Sequence, residues 1–214
     1  MAGLGGLAGK ELSAAMAAMG EPVSMPEFHR VMRDRVEATR DEQREVSHFA
    51  ASLRGRTPWM TWLLLATIGL IYLGQGLVLV DGTSAFIVTG ALRSDPEARW
   101  QLWRMASYSW LHGGMMHIAF NGYALYLLGT FLERLVGSAR FVVIYTASVL
   151  GGALAVLLFQ SGVGVTVGAS GGVWGLMTAM AVLFFRPQGI VPEAMVAPMR
   201  SSFGRILVIN VVLS

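Results

Sequence analysis

The sequence contains no cysteine and only one lysine, Lys10, among its 214 residues. The absence of cysteine excludes a disulfide framework, a cysteine nucleophile and thiolate metal ligands, and it leaves the redox compartment open. Charged residues make up 14% of the chain and hydrophobic residues 54%, whereas an ordinary soluble domain carries roughly 25% charged residues. The run from 141 to 185 contains no charged residue at all. The composition therefore indicates a membrane protein.

The net charge of +3 comes almost wholly from arginine. These arginines flank apolar runs and form no basic stripe, so nucleic acid is not an expected partner. If the chain crosses the bilayer at each apolar run, one side receives Arg54, Arg56, Arg134, Arg140, Arg186, Arg200 and Arg205. By the positive-inside rule that side is the cytoplasm. We therefore expect a cytoplasmic amino terminus and location in the plasma (inner) membrane.

Three regions are predicted along the chain. Residues 1–25 are small and mildly apolar and are predicted to form a flexible cytoplasmic tail, while 26–56 are dense in charges of both signs and predict a helix outside the bilayer. That helix presents either a solvated charged face or a partner-binding surface. Residues 57–214 are predicted to form a membrane domain.

Apolar runs in that domain predict an all-α bundle of transmembrane helices. Residues 58–80 and 112–137 form the first two spans, since about 20 apolar residues cross a bilayer core. The uncharged run 141–185 would extend about 67 Å as one helix, twice a membrane thickness. It is therefore predicted to reverse at 160–168, which gives a third and a fourth span. Residues 206–214 start a fifth span, so the domain is predicted to be incomplete at its carboxyl end.

The stretch GASGG, residues 168–172, places a serine between glycines in this uncharged run. The second and fourth spans both run from outside to inside, so their first turns are expected at a similar depth. His117 and Asn121 begin the second span and lie four residues apart, on one helix face. Ser170 begins the fourth span. The three polar side chains are therefore predicted to converge just below the outer surface, where polar groups are functional hypotheses by default.

Each feature also has a structural interpretation. Ser170 is a favoured helix N-cap, the glycines at 168, 171, 172 and 175 favour close helix packing, and His117 with Asn121 could hydrogen-bond between helices. A zincin motif needs Glu between its histidines, whereas His112 and His117 are five apart without one. We expect no metal and no cofactor. A transporter fragment is disfavoured because no charged residue marks a path at mid-membrane.

The sequence resembles the rhomboid intramembrane serine proteases over residues 58–214. The resemblance rests on Trp103-Arg104, HGGMMHIAFN at 112–121, Glu133-Arg134, and GASGG at 168–172. It implies that Ser170 is the nucleophile and that His117 and Asn121 bind the oxyanion. Gly168 would shape the loop before the serine, and His112 would be the outer histidine of the motif.

The resemblance also implies a general-base histidine on a sixth helix, whereas all four histidines here precede Ser170. We therefore expect the base beyond residue 214. Trp174 stands where rhomboids commonly carry a tyrosine that stacks on that histidine. The predicted function is cleavage of transmembrane protein substrates by a Ser-His dyad. The alternative is an inactive rhomboid-like pseudoprotease that binds membrane clients.

Two further predictions concern the edges of the bundle. The outer connection comprises residues 81–111. Its aromatic residues Trp100, Trp103, Tyr108 and Trp110 are expected to form an interfacial belt in contact with the lipid bilayer. Glu133 is expected either to accept hydrogen bonds from neighbouring helix ends or to snorkel to water.

Overall fold

The computed structural model describes residues 25–80, 82–160, 162–186, 189–196, 199–200 and 203–204. The tail predicted for 1–25 lies outside the described residues except for Met25, and so does the start of the fifth span predicted at 206–214. The chain divides into two compact units, Met1–Ser47 and His48–Ser214.

The charged segment forms helix α1, Met25–Arg54, which has no buried residue. Glu27 lies in its first turn and Arg54 in its last turn, the arrangement that the helix dipole favours. The helical state predicted from the charge pattern is therefore confirmed, and the position of this helix outside the bilayer stays a prediction.

Helix α2, Trp59–Gln75, is shorter than the 58–80 span predicted for it. It ends at Gln75 because Gly76 follows as the C-cap residue and because the Gln75 side chain is buried in hydrogen bonds to another segment. The last two residues of the predicted span form strand β1, Leu79–Val80, which pairs antiparallel with strand β2, Thr83–Ser84, just beyond the span. The prediction was wrong here because hydropathy does not register a buried amide.

The outer connection that follows contains several short elements. They are helix α3, Ala85–Gly90; strand β3, Leu92–Arg93; helix α4, Arg104–Ser107; and a 3-10 turn, Tyr108–Trp110. Within this connection Arg104 is buried and donates to the carbonyl of Ala91 at 2.7 Å. This bond ties the start of α4 to the end of α3.

Two long apolar helices come next, α5, Met115–Val136, and α6, Ser138–Phe159. They are joined by Gly137 alone, whose φ of +87° suits glycine. Strand β4, Val165–Thr166, then pairs with β3, and helix α7, Ser170–Phe185, follows. These bounds confirm the second helix, the reversal at 160–168 and the start of the fourth helix at Ser170.

Among the described residues, α5 and α6 are long and apolar enough to cross a membrane, or three spans exist if α1 and α2 are taken as one broken span. Helix α7 is apolar but has 16 residues. The bundle core is formed by large side chains from α5, α6 and α7, including Leu125, Leu132, Phe141, Tyr145, Leu176, Met177 and Phe184.

Glycines allow α6 and α7 to approach closely. A Cβ atom at Gly152 would lie 3.1 Å from the Cα atom of Gly171, and one at Gly175 would overlap the side chain of Ser148. Small residues permit this backbone contact, so the helix-packing interpretation is confirmed for Gly171 and Gly175, whereas Gly168 precedes the helix.

Glu133 lies at the end of the bundle where α2 begins and α5 ends. Its carboxylate is 2% exposed and accepts hydrogen bonds from Met60 N–H at 2.9 Å and from Thr61 N–H and Oγ1, both at 2.7 Å. It also accepts from the Ser138 hydroxyl at 2.6 Å. The carboxylate therefore supplies the acceptors that the first turn of α2 lacks, and the first of the two alternatives for Glu133 is confirmed.

Candidate active site

Ser170 is the first residue of α7 and is half-buried. The cap position belongs to Ala169, whose carbonyl accepts the first helical bond from Val173 N–H at 3.0 Å. No side-chain hydrogen bond caps this helix, so the expectation that Ser170 is its N-cap is wrong. The reason is local: Gly168, at φ +121°, turns the chain one residue earlier than the cap interpretation requires. The Ser170 hydroxyl is therefore not engaged in capping the helix.

His117 lies beside Ser170 across Gly168. A Cβ atom at Gly168 would lie 2.7 Å from His117 Nε2 and 3.8 Å from Ser170 Oγ. The glycine is thus required twice, because its φ is positive and because any side chain would fill the space between the imidazole and the hydroxyl. The two groups border the same small space.

The hydrogen bonding of His117 defines which ring nitrogen faces that space. Its Nδ1 accepts from Gly113 N–H at 3.4 Å. A neutral imidazole that accepts at Nδ1 carries its proton on Nε2. The group presented toward Gly168 and Ser170 is therefore an N–H donor.

His112 is buried beside His117 and the residue before Ser170, and 1% of its surface is exposed. Its Nε2 accepts from Ala169 N–H at 3.4 Å, and its ring meets the His117 ring edge-on with centroids 5.2 Å apart. Burial, followed by the proximity of His117, lowers the pKa of His112 to about 4, and the nearby Trp110 backbone opposes the shift. His112 is therefore neutral and holds the residue directly before Ser170.

Gln75 was not among the site residues predicted from the sequence. Its side-chain amide donates to the His112 carbonyl at 2.9 Å, and its oxygen accepts from His112 N–H at 3.0 Å. This two-point contact joins the end of α2 to the histidine motif. An amide inside an apolar span was the available signal.

Asn121 is 8% exposed and lies one helical turn after His117. Its Nδ2 donates to the carbonyl of His117 at 3.0 Å. The side-chain amide of Asn121 carries two hydrogens. One is used within α5, and the second has no partner among the described hydrogen bonds. The described hydrogen bonds join His112, His117 and the Gly168 turn, but they do not connect Asn121 to Ser170.

Trp174 lies one turn after Ser170 and is half-buried. It lines an open groove along α6 and α7 whose other walls are small residues, namely Ser148, Gly152, Gly171, Gly175, Thr178, Ala179 and Val182. The groove therefore begins at the residue that follows Ser170 and runs along the helix.

The loop that carries Ser170 is held by the outer connection. Gly168 N–H donates to the Tyr108 carbonyl at 3.0 Å. Farther along the loop, the Ser94 hydroxyl donates to the Gly162 carbonyl and accepts from Gly164 N–H, both at 2.8 Å, next to the β3 and β4 pair. These bonds restrain the segment between α6 and α7 from outside the bundle.

The aromatic residues of the outer connection divide into two groups. Trp100 and Trp103 are 76% and 60% exposed and agree with an interfacial belt. Tyr108, in contrast, is 2% exposed, and Trp110 is half-buried. Including Tyr108 in the belt was wrong, because its ring packs in the bundle core.

Comparison with known proteins agrees with this architecture. The family model of the rhomboid domain matches residues 99–214. The chain is 33% identical over 144 residues to the rhomboid protease GluP of Bacillus subtilis, covering 65% of this chain and 27% of the relative. It is 41% identical over 92 residues to RHOMBOID-like protein 5 of Arabidopsis thaliana, covering 42% and 30%.

A third relative is the rhomboid protease GlpG of Salmonella choleraesuis, 32% identical over 102 residues, which cover 48% of this chain and 36% of that protein. The chain thus spans about a quarter to just over a third of the length of these relatives. The family match covers more than half of the chain and includes the turn at Gly168, both histidines of the motif and Ser170. The chain is an integral membrane protein and belongs to the rhomboid family.

Proposed function

We propose that this chain carries the nucleophile of an intramembrane serine endopeptidase that cleaves transmembrane proteins. The observation that carries the proposal is the position of His117 Nε2 and Ser170 Oγ on two sides of the Gly168 turn. A hydroxyl that caps no helix therefore lies near a ring nitrogen that carries a proton, and Gly168 has no side chain to fill the space between them.

In the proposed reaction, Ser170 Oγ attacks the carbonyl carbon of the scissile peptide bond, and the carbonyl oxygen becomes negatively charged. The Ser170 N–H, at the positive end of the α7 dipole, and His117 Nε2–H would donate to that oxygen. The free amide hydrogen of Asn121 is the third proposed donor. Each such donor is worth about 10²- to 10³-fold in rate.

The general base is proposed to be a histidine beyond residue 214. Neither histidine near Ser170 is suited to the task, because His117 presents a protonated nitrogen and the Nε2 of His112 is engaged by Ala169 N–H. The helix that carries the general-base histidine would approach the Ser170 hydroxyl along the groove beside Trp174, if its own contacting residues are small. The Trp174 ring would supply the aromatic face on which that histidine rests.

The proposed membrane arrangement has four complete spans and the start of a fifth, with the amino terminus in the cytoplasm of a cell bounded by its plasma (inner) membrane. The arginine distribution supports this orientation. Helices α2 and α7, with 17 and 16 residues, are about 25 Å long. These helices are shorter than a bilayer core of about 30 Å. Their ends near Ser170 would therefore lie below the lipid surface, at a depth that water would reach.

The test uses a fluorophosphonate probe and the protein expressed from its complete reading frame in detergent micelles. We expect the wild-type protein to be labelled and Ser170→Ala to lose the label. Ser52→Ala, an exposed serine that bonds only within α1, serves as the control and should be labelled normally. Absence of labelling in the wild-type protein would instead support the pseudoprotease alternative.

A further inference from the structure

Tyr108 contacts the α7 start at two points, through its backbone and through its side chain. Its carbonyl accepts from Gly168 N–H at 3.0 Å, two residues before Ser170. Its hydroxyl donates to the Val149 carbonyl of α6 at 2.9 Å. With 2% of its surface exposed, Tyr108 spans the distance between the outer connection and the crossing of α6 and α7.

The hydroxyl lies directly against the glycines at that crossing. A Cβ atom at Gly171 would lie 2.5 Å from the Tyr108 hydroxyl oxygen, and one at Gly152 would lie 3.2 Å from it. Gly171 is the residue after Ser170, so the oxygen supports the backbone of the first turn of α7. Burial raises the pKa of Tyr108 to about 12, so the phenol remains a neutral donor.

We propose that Tyr108 is a positioning residue for Ser170, an inference that rests on the proposed function. The Tyr108 carbonyl holds Gly168, and the Tyr108 hydroxyl supports Gly171. The backbone on both sides of Ser170 is therefore positioned by one buried residue. Displacement of a reacting group by about 1 Å can cost 100-fold in rate. Tyr108 therefore acts on the chemical step through the placement of Ser170 Oγ relative to His117.

The experiment compares Tyr108→Phe with Tyr145→Phe in the complete protein, using a fluorophosphonate at several concentrations. In the reaction followed, Ser170 Oγ bonds to phosphorus, the P–F bond breaks, fluoride leaves, and the hydroxyl proton passes to the general base. Tyr145 is a matched control because it is 5% exposed and its ring, not its hydroxyl, lies against Gly172. Saturation separates the maximal labelling rate from the half-saturating probe concentration.

We expect Tyr108→Phe to lower the maximal labelling rate roughly tenfold, with the half-saturating concentration changed less than about twofold. Tyr145→Phe should keep the wild-type rate after correction for the folded fraction. A second pair perturbs the crossing of α6 and α7, against which the Tyr108 hydroxyl lies, without changing Tyr108. Gly152→Ala should reproduce the loss, whereas Gly151→Ala, where a Cβ atom meets nothing within 4 Å, should not.

The inference is overturned if Tyr108→Phe and Gly152→Ala are labelled at the maximal rates of their controls, or if only the half-saturating concentration changes. This failure differs from a failure of the proposed function. In the latter case the wild-type protein is not labelled, or Ser170→Ala is labelled equally.

Discussion

Removal of the Glu133 carboxylate is expected to destabilise the bundle through the first turn of α2. Glu133→Ala deletes the acceptor of four hydrogen bonds, two of them from the N–H groups of Met60 and Thr61. The hydroxyls of Thr61 and Ser138 can rotate to other acceptors, but the two N–H groups are fixed by the helix. The loss of an acceptor for these two N–H groups therefore accounts for most of the expected decrease in the free energy of unfolding.

The magnitude follows from these two donors. An unsatisfied buried donor costs about 1–3 kcal/mol, so Glu133→Ala should lower the free energy of unfolding by roughly 2–6 kcal/mol. Glu133→Gln keeps one oxygen and should cost about half as much. Thr61→Val, which removes the hydroxyl bond alone, should cost about 1 kcal/mol.

The measurement is unfolding in mixed micelles of dodecylmaltoside and increasing dodecyl sulfate, followed by far-ultraviolet circular dichroism. Thr67→Val is the matched control for Thr61→Val, since the Thr67 hydroxyl bonds only to the Leu63 carbonyl within the same helix. The expected order of stability loss is Glu133→Ala, Glu133→Gln, Thr61→Val, then the control. If Glu133→Ala unfolds at the midpoint of Thr67→Val, the capping argument is refuted.

Two other outcomes are expected. Gly168→Ala should abolish fluorophosphonate labelling, because its Cβ would lie 2.7 Å from His117 Nε2; Gly162→Ala, at φ +87° but in open space, measures backbone strain alone and should retain labelling. Because the pKa of His112 is lowered from 6.5 to about 4, the unfolded chain binds its proton first as the pH falls, so this contribution to stability is present above pH 6.5 and is lost between there and about pH 4. Unfolding midpoints should decline over that range in the wild-type protein and less steeply in His112→Asn, and equal slopes would contradict a buried neutral His112.

The long helices could be predicted from the sequence because their signal is repeated over many residues. The uncharged run 141–185 is too long for one membrane crossing, and the glycines of 160–168 indicate where it reverses. The adjacency of His117 and Ser170 also followed from topology, since both begin helices of the same direction. These inferences need only hydropathy and the 1.5 Å rise per residue.

The short elements could not be predicted in this way. Helix α2 ends at Gln75 because its amide bonds the His112 backbone, a contact between residues 37 positions apart. Tyr108 resembles an interfacial aromatic residue in the sequence, but its hydroxyl finds an acceptor in α6 and its ring is buried. Long-range hydrogen bonds determine both the end of α2 and the burial of Tyr108, and hydropathy does not record such bonds.

The contact between the outer connection and the 160–168 reversal is small. Apart from the bond from Gly168 N–H to the Tyr108 carbonyl, it consists of the two-residue pairing of β3 with β4 and the hydrogen bonds of Ser94. A ladder of this length opens at a far lower free energy than a packed bundle. Thermal fluctuation therefore separates these two segments many times for each unfolding of α5 to α7. The molecule therefore has a weakly held contact beside a packed bundle, and the strand pairing in that contact ends at Thr166, four residues before Ser170.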